Sequence, residues 1–233
     1  MRITPILLAI RNVIETYRDR TILYSLFPAA FLVFANLYSN DIDKFGLFVG
    51  LALVFGSMDC SILREKEREA ITKLFLSNVS SWSITGGRLL SSVLLTLVKA
   101  TLILSVIYYG NLMPEGIDLL WIAYFYAVSC LITLLSVSLG LLCFSLYPSL
   151  KSSTLLTLSL LSIFAVLPAF FLDGPQNGIL KYNPFSATYD FLVKLIKDPS
   201  SINMFVEDDM SVVSIWIVLL YFLASVSLRK KVA

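Results

Sequence analysis

The chain has 233 residues, of which 58% are hydrophobic and 15% are charged. Soluble domains carry roughly 25% charged residues, so this composition excludes an ordinary soluble protein. The formal net charge is +2 and the charges lie at the ends of apolar runs, a pattern that argues against a nucleic-acid partner. Histidine is absent, which removes most metal, haem-ligand and imidazole-based catalytic schemes.

Residues 3–20 predict an amphipathic helix. Its apolar positions recur at helical spacing: Ile3, Ile6, Leu7, Ile10, Val13, Ile14 and Tyr17. Charged residues such as Arg11 and Glu15 interrupt the apolar run, so the segment does not resemble a cleavable signal peptide. We expect the helix to lie in the membrane surface, either as a plain anchor or as an element that orients the first span.

Six longer apolar runs follow, each close to the length of about 20 residues that a spanning helix needs. The predicted spans are residues 22–38, 45–63, 86–109, 119–146, 152–172 and 211–228. The predicted fold class is therefore an all-α membrane protein with six transmembrane helices, forming one domain over residues 1–233.

Lysine and arginine are concentrated in three places that the six spans put on one side of the membrane. These are the N-terminal segment, the loop after the second span and the C-terminus. Cytoplasmic loops carry an excess of these residues, so both termini are predicted to be cytoplasmic.

The cytoplasmic loop between the second and third spans, residues 64–77, predicts a short amphipathic helix. Its apolar stripe consists of Ala70, Ile71, Leu74 and Phe75, and charged residues occupy the other positions. A serine in the following turn, residues 78–81, is suited to cap the third span.

The loop between the fifth and sixth spans, residues 173–210, is polar and predicted to be extracellular. Within it, Asn183 can cap and Pro184 can start a helix of about twelve residues. One face of that helix would carry Phe185, Tyr189, Leu192 and Ile196. Because the helix is too short to span, we expect it to dip into the outer leaflet or to cover the outer end of the bundle.

The ionisable residues Asp59 and Lys99 lie well inside predicted spans. Such residues are functional candidates by default, and snorkelling or a subunit contact is the alternative. The fourth and fifth spans also carry many hydroxyl residues, for which helix packing is the better interpretation.

The loop between the second and third spans resembles the hallmark of type-2 ABC exporter permeases, Glu-Arg-Glu-x-Gly-Thr-Leu-Glu-x-Leu-Leu-x-Ser-Pro-Val-Ser, followed by Ile and Gly-Lys-Leu-Leu. The identical or conservatively substituted positions are Glu65, Glu67, Leu74, Phe75, Ser77, Val79, Ser80, Ile84, Gly87, Arg88, Leu89 and Leu90. The departures are Glu69 for glycine, Thr72 for glutamate and Asn78 for proline. The stretch that begins at Asn183-Pro184 is similar to one found in many of these permeases.

The resemblance implies a permease in the plasma membrane that works with a second permease copy, or a related permease, and two ABC ATPase subunits. The loop helix would couple to the ATPase through Glu65, Glu67, Arg68, Ile71, Leu74, Phe75 and Ser77. The fifth span would line the substrate path at the permease interface, with Thr154, Thr157 and Ser162 as candidates for an amphipathic, drug-like or lipid-like substrate. The chain itself would have no cofactor, because these residues contain no Gly-x-x-x-x-Gly-Lys-Ser/Thr loop, and ATP and Mg²⁺ would bind the partner.

Three other classes compete with this interpretation. The B subunit of the cytochrome c haem exporter has a similar size, span number and loop, but the long acidic outer loop and the Asn-Pro-Phe stretch fit a general exporter better. Composition does not exclude a channel or a passive scaffold, and the loop match alone favours a permease over these two classes. An intramembrane enzyme has no support, because the sequence has neither a serine with a histidine base nor a cluster of metal ligands.

Overall fold

The computed structural model describes residues 5–18, 49–54, 79–109, 117, 119–146, 150–166, 182–197 and 206–232. The helices that can be assigned end to end in these residues are α1 (Pro5–Arg18), α2 (Ser81–Tyr109), α3 (Leu119–Leu146), α4 (Leu150–Leu161), a π-helical turn (Ser162–Val166), α5 (Pro184–Lys197) and α6 (Val206–Val232). Residues 49–54 are also helical. The predicted all-helical class is therefore confirmed for the part of the chain that the structure describes.

Three of these helices are long and apolar enough to cross a membrane: Ser81–Tyr109, Leu119–Leu146 and Met210–Arg229. They correspond to the predicted third, fourth and sixth spans, although α2 begins at Ser81 rather than at residue 86. The predicted first span lies outside the described residues, as does most of the second. The fifth is described only as far as Val166, so the six-span arrangement stays a prediction.

The central helix of the described bundle is α3. It is buried over 72% of its apolar window, against 44% for α2 and 28% for α6. Its many serine and threonine residues let neighbouring helices approach closely, which matters because lipid provides no hydrophobic drive between helices. Both α2 and α6 pack against α3.

The helices alternate in direction, so the start of α2 lies near the ends of α3 and α6. One small core cluster joins Leu8 of α1, Val79 and Ile84 at the start of α2, Phe144 at the end of α3 and Leu228 near the end of α6. We call this the Val79 end of the bundle and the opposite end the Trp121 end. The clustering agrees with the alternation expected for successive spans, and the assignment of the Val79 end to the cytoplasm stays a prediction.

Helix α1 packs across the start of α2. Leu8 and Ala9 are buried there, whereas Ile6, Ile10 and Ile14 are 47–61% exposed. The exposed residues are four positions apart and so share one face, as the predicted amphipathic pattern requires. An apolar face of this kind suits the membrane surface, which remains the predicted location of α1.

Helix α5 begins and ends close to the predicted limits, and the four residues predicted to share an apolar face are all buried. The helix is more deeply enclosed than a surface helix, because Phe191 and Leu195 bury a second face. Trp121 at the start of α3 donates a hydrogen bond from Nε1 to the Leu195 carbonyl oxygen at 2.7 Å. The helix is thus seated within the Trp121 end of the bundle.

Candidate functional site

The predicted coupling segment lies outside the described residues, so its structure stays a prediction. This applies to Glu65, Glu67, Arg68, Ile71, Leu74, Phe75 and Ser77. The structure describes the point at which this segment joins the bundle, the start of α2 two to four residues later. This junction is the first part of the candidate site.

Ser80 caps α2, as the sequence predicts for a serine in this turn. Its Oγ accepts a hydrogen bond from the Ser83 backbone N–H at 3.2 Å, and its carbonyl oxygen accepts from the Ile84 N–H at 3.1 Å. A serine cap satisfies a backbone donor that has no partner within the helix. The cap therefore fixes where the loop ends and the rigid span begins.

The first two turns of α2 are fastened to α6. Thr85 Oγ1 and Ser225 Oγ are 2.8 Å apart and buried, and the Tyr221 hydroxyl donates to the Trp82 carbonyl oxygen at 3.3 Å. The Trp82 ring also lies edge-on to the Tyr221 ring, with centroids 5.4 Å apart, and contacts Phe222. Sequence analysis missed these contacts, since only the fold brings residues about 140 positions apart together.

The same turns of α2 are pressed against α1. A methyl group on Gly87 would lie 2.8 Å from Leu8 Cβ and 3.1 Å from the Pro5 carbonyl oxygen. Both atoms belong to or adjoin the α1 backbone, so α1 would have to move to make room. The glycine that the family resemblance highlights therefore has a packing function here.

A polar seam runs inside the bundle between α2 and α3. On α2 the buried polar residues Arg88, Ser92, Thr96 and Lys99 recur every three or four positions, and on α3 they are Ser129, Thr133 and Ser136. Thr96 Oγ1 lies 2.8 Å from both the Ser92 carbonyl oxygen and Thr133 Oγ1. The serines on α3 donate back to carbonyl oxygens of their own helix, so the hydroxyl groups act mainly as packing contacts between helices.

Of the two intramembrane candidates Asp59 and Lys99, Lys99 is the one that the structure describes. It is 6% exposed and lies midway along α2, one turn beyond Thr96. A buried lysine within a candidate span requires polar partners, which makes Lys99 a functional candidate. Asp59, its predicted counterpart, lies outside the described residues, so contact between the two stays a prediction.

The predicted substrate-path residues of the fifth span do not share a face. Thr157 of α4 is buried and hydrogen-bonds the Cys143 side chain of α3. Ser162 is exposed, and its hydroxyl donates to the Leu158 carbonyl oxygen at 2.8 Å. Thr154 lies in α4, but its side chain is outside the described part. Of the two described side chains, only Ser162 lies on the outer face of the bundle.

The described part of the fifth span ends in the π-helical turn, which Asn183 connects to α5. The Asn183 Oδ1 accepts from the Phe185 N–H at 3.0 Å, so the predicted cap is present. Its Nδ2 donates to the Phe164 carbonyl oxygen, also at 3.0 Å. π-helical turns often mark functional positions. The second bond was not predictable, because Phe164 is 19 positions away and the Asn-Pro signal is local.

Three buried hydroxyl groups have no hydrogen-bond partner in the described structure: those of Ser138, Ser186 and Tyr189. Each such group disfavours the folded state by about 1–3 kcal/mol. Ser186 and Tyr189 lie three positions apart on α5, and the Tyr189 ring sits where a methyl group on Gly50 would overlap it. Burial raises the pKa of the Tyr189 phenol, so this group is neutral. The described residues contain no group of three potential metal ligands.

Comparison with known families agrees with this architecture. A family model described as ABC-2 type transporter matches residues 6–195 of the chain. The matched region includes α1, the coupling segment, α2 to α4 and nearly all of α5. A search of curated proteins gives no match.

Proposed function

Because the chain belongs to the ABC-2 type transporter family, we propose that it is the permease of an ATP-driven exporter. Members of this family are the membrane components of ABC transporters and normally work with an ATPase subunit. Our proposal adds the direction of transport, the coupling segment and the class of substrate. The haem-exporter, channel and scaffold alternatives are not favoured by the match.

The observation that carries the proposal is the continuity between the coupling segment and α2. The family match runs through residues 64–77 into the capped start of α2. Two residues and the Ser80 cap connect this segment to α2. Because an α-helix is stiff along its axis, a displacement of the segment would move α2 with it. We infer that Glu67, Phe75 and their neighbours contact the ATPase, which binds ATP and Mg²⁺. The transporter would contain two ATPase subunits and a second permease, which is either another copy of this chain or a related one.

The exposed face of the fifth span supports an amphipathic or lipid-like substrate. Among the side chains that the structure describes from residue 155 to residue 166, the outward ones include Leu155, Leu158, Ile163 and Phe164, with hydroxyl groups at Ser159 and Ser162. If this face meets the second permease, as the family resemblance implies, the path is apolar with sparse hydroxyl groups. Such a lining suits acyl chains better than strongly charged solutes.

Affinity purification of the tagged permease from its native membranes in mild detergent tests the proposal. We expect an ABC ATPase with a phosphate-binding loop to co-purify in about equimolar amount. The control is a permease in which residues 65–77 are replaced by a Gly-Ser segment of the same length, which should fold but lose the ATPase. Recovery of the intact permease without any such ATPase, even after chemical crosslinking, would contradict the proposal.

A further inference from the structure

The contacts between the start of α2 and the end of α6 connect a second span to the helix that follows the coupling segment. We propose that Thr85, Ser225 and Tyr221 form a latch that makes the end of α6 move with the start of α2. This inference rests on the proposed function, since the latch would pass ATP-driven motion of residues 64–77 to a second span.

The latch lies where the coupling segment joins the bundle. Trp82 and Thr85 lie in the first two turns of α2, directly after the Ser80 cap. A displacement of the loop therefore reaches these residues before any other part of the span. Tyr221 and Ser225 lie one turn apart in α6, so the two helices are joined at two successive levels.

Among the described residues, α2 makes three interhelical hydroxyl pairs at 2.8 Å, and one of them reaches α6. Thr96 pairs with Thr133, and Thr101 pairs with Tyr126, both of α3. The Thr85–Ser225 pair is thus the described hydroxyl contact that connects the loop-bearing span to the last span. It also gives a natural control, since Thr96–Thr133 has the same length and is also buried.

The Thr85–Ser225 pair of the latch is buried. Thr85 and Ser225 are both fully enclosed, and Ser225 has no other described hydrogen bond. A hydroxyl group that loses its partner at such a site has no water to replace it, so separating the helices here is unfavourable.

Environment-sensitive fluorescence on the two helices tests the latch. Cys60, Cys130 and Cys143 are first replaced by alanine, and a bimane label is then placed at Ser105→Cys on α2 or Ser214→Cys on α6. Both positions are exposed and lie in the half of their helix nearer the Trp121 end. The permease and its partner ATPase are reconstituted in nanodiscs, and emission is recorded before and after addition of MgATP with vanadate.

With the latch intact, we expect a shift of the emission maximum at both positions. Thr85→Val, or Ser225→Ala if the first variant is unstable, should abolish the shift on α6 and leave the shift on α2. Thr85→Ser should restore it, and Thr96→Val should leave both shifts unchanged. If the Thr85–Ser225 pair served only stability, Thr85→Val would lower stability but would not make the emission shifts on α2 and α6 differ.

Two results would overturn the latch and leave the proposed function standing. One is a shift on α2 but not on α6 in the protein with an intact latch. The other is an undiminished α6 shift in both Thr85→Val and Ser225→Ala. Absence of a shift at both positions in the intact protein would contradict the coupling itself, and the latch with it.

Discussion

Gly87 illustrates how one side chain, or its absence, sets the geometry of a helix pair. Its Cα faces Leu8 and the Pro5 carbonyl group so closely that α1 and α2 touch backbone to backbone. Gly86, its neighbour, faces only the Tyr221 hydroxyl oxygen at 3.4 Å and Pro5 Cβ at 4.0 Å, which are tolerable separations for a methyl group. The two glycines are adjacent, yet only one of them is required by packing.

Gly87→Ala should therefore lower the thermal stability of the purified permease, and Gly86→Ala should not. Inserting a methyl group into a packed contact costs roughly 1–3 kcal/mol, whereas alanine in place of glycine favours a helix by up to about 1 kcal/mol. Fluorescence-detected size-exclusion chromatography after heating measures both variants. Equal behaviour of the two would mean that α1 does not press on α2 in the membrane.

Asn183 makes two hydrogen bonds that can be separated by substitution. Asn183→Asp keeps the oxygen that caps α5 but loses the donor to the Phe164 carbonyl oxygen, and Asn183→Ala loses both. A cap contributes about 1 kcal/mol and a further hydrogen bond a similar amount.

We therefore expect melting temperatures in the order wild type, Asn183→Asp, Asn183→Ala, measured by heating the detergent-solubilised protein. If Asn183→Asp matched the wild type, the bond to Phe164 would contribute nothing to stability.

At this scale the sequence identified Asn183 as a cap and predicted a serine cap within residues 78–81, because capping depends on residue type and on position next to a helix start. It could not identify Phe164 or Ser225 as partners. Those contacts depend on how separate helices are placed, and hydroxyl residues are frequent in the predicted spans, so no single one stands out.

Among the secondary-structure elements, α5 shows how unequal two polar contacts on one helix can be. Asp190 and Lys194 form an ion pair at 2.6 Å on its partly exposed stripe, with side chains 25–30% accessible. One residue after Lys194, the Leu195 carbonyl oxygen on the enclosed face accepts a hydrogen bond from the buried Trp121 Nε1. Solvent screens the ion pair, whereas nothing replaces the second contact.

Trp121→Phe should accordingly lower stability by about 1 kcal/mol or more, since it leaves a buried carbonyl group without this donor. Lys194→Ala should change stability by less than about 0.5 kcal/mol, as expected for an exposed pair one helical turn apart. Thermal melts at low and high salt compare them. A larger effect of Lys194→Ala would show that α5 is held mainly from its exposed side.

Helix boundaries were predictable where apolar periodicity ended in clear turn signals. The fourth predicted span coincides with α3 over residues 119–146, and α5 starts at the predicted Pro184. The π-helical turn was not predictable, because a short and mainly apolar segment such as Ser162–Val166 carries no pattern that separates a π-turn from an α-helix. The enclosed position of α5 was missed because the second buried face depends on its neighbours.

For the whole molecule, composition and charge predicted a helical membrane protein with alternating spans, and the meeting of α1 with the start of α2 and the ends of α3 and α6 agrees with that alternation. The family assignment depended on a short loop rather than on the bundle. Many unrelated transporters share the same hydropathy pattern, because that pattern reflects only the requirement for apolar helices in lipid. The loop is more specific, because its residues are suited to contact a particular partner protein. Thr157 is buried and Ser162 is exposed, and the assignment of these residues to a substrate path stays a prediction.

The most direct test of the central claim is the rate of MgATP hydrolysis by the partner ATPase in nanodiscs with the permease, compared between wild type, Phe75→Ala and Glu69→Ala. Truncating an interface aromatic residue costs on the order of 1–2 kcal/mol or more, so Phe75→Ala should lower the permease-dependent rate about tenfold. Glu69, which departs from the family pattern, should tolerate alanine. An unchanged rate in Phe75→Ala, with the complex still monodisperse, would contradict coupling through residues 64–77.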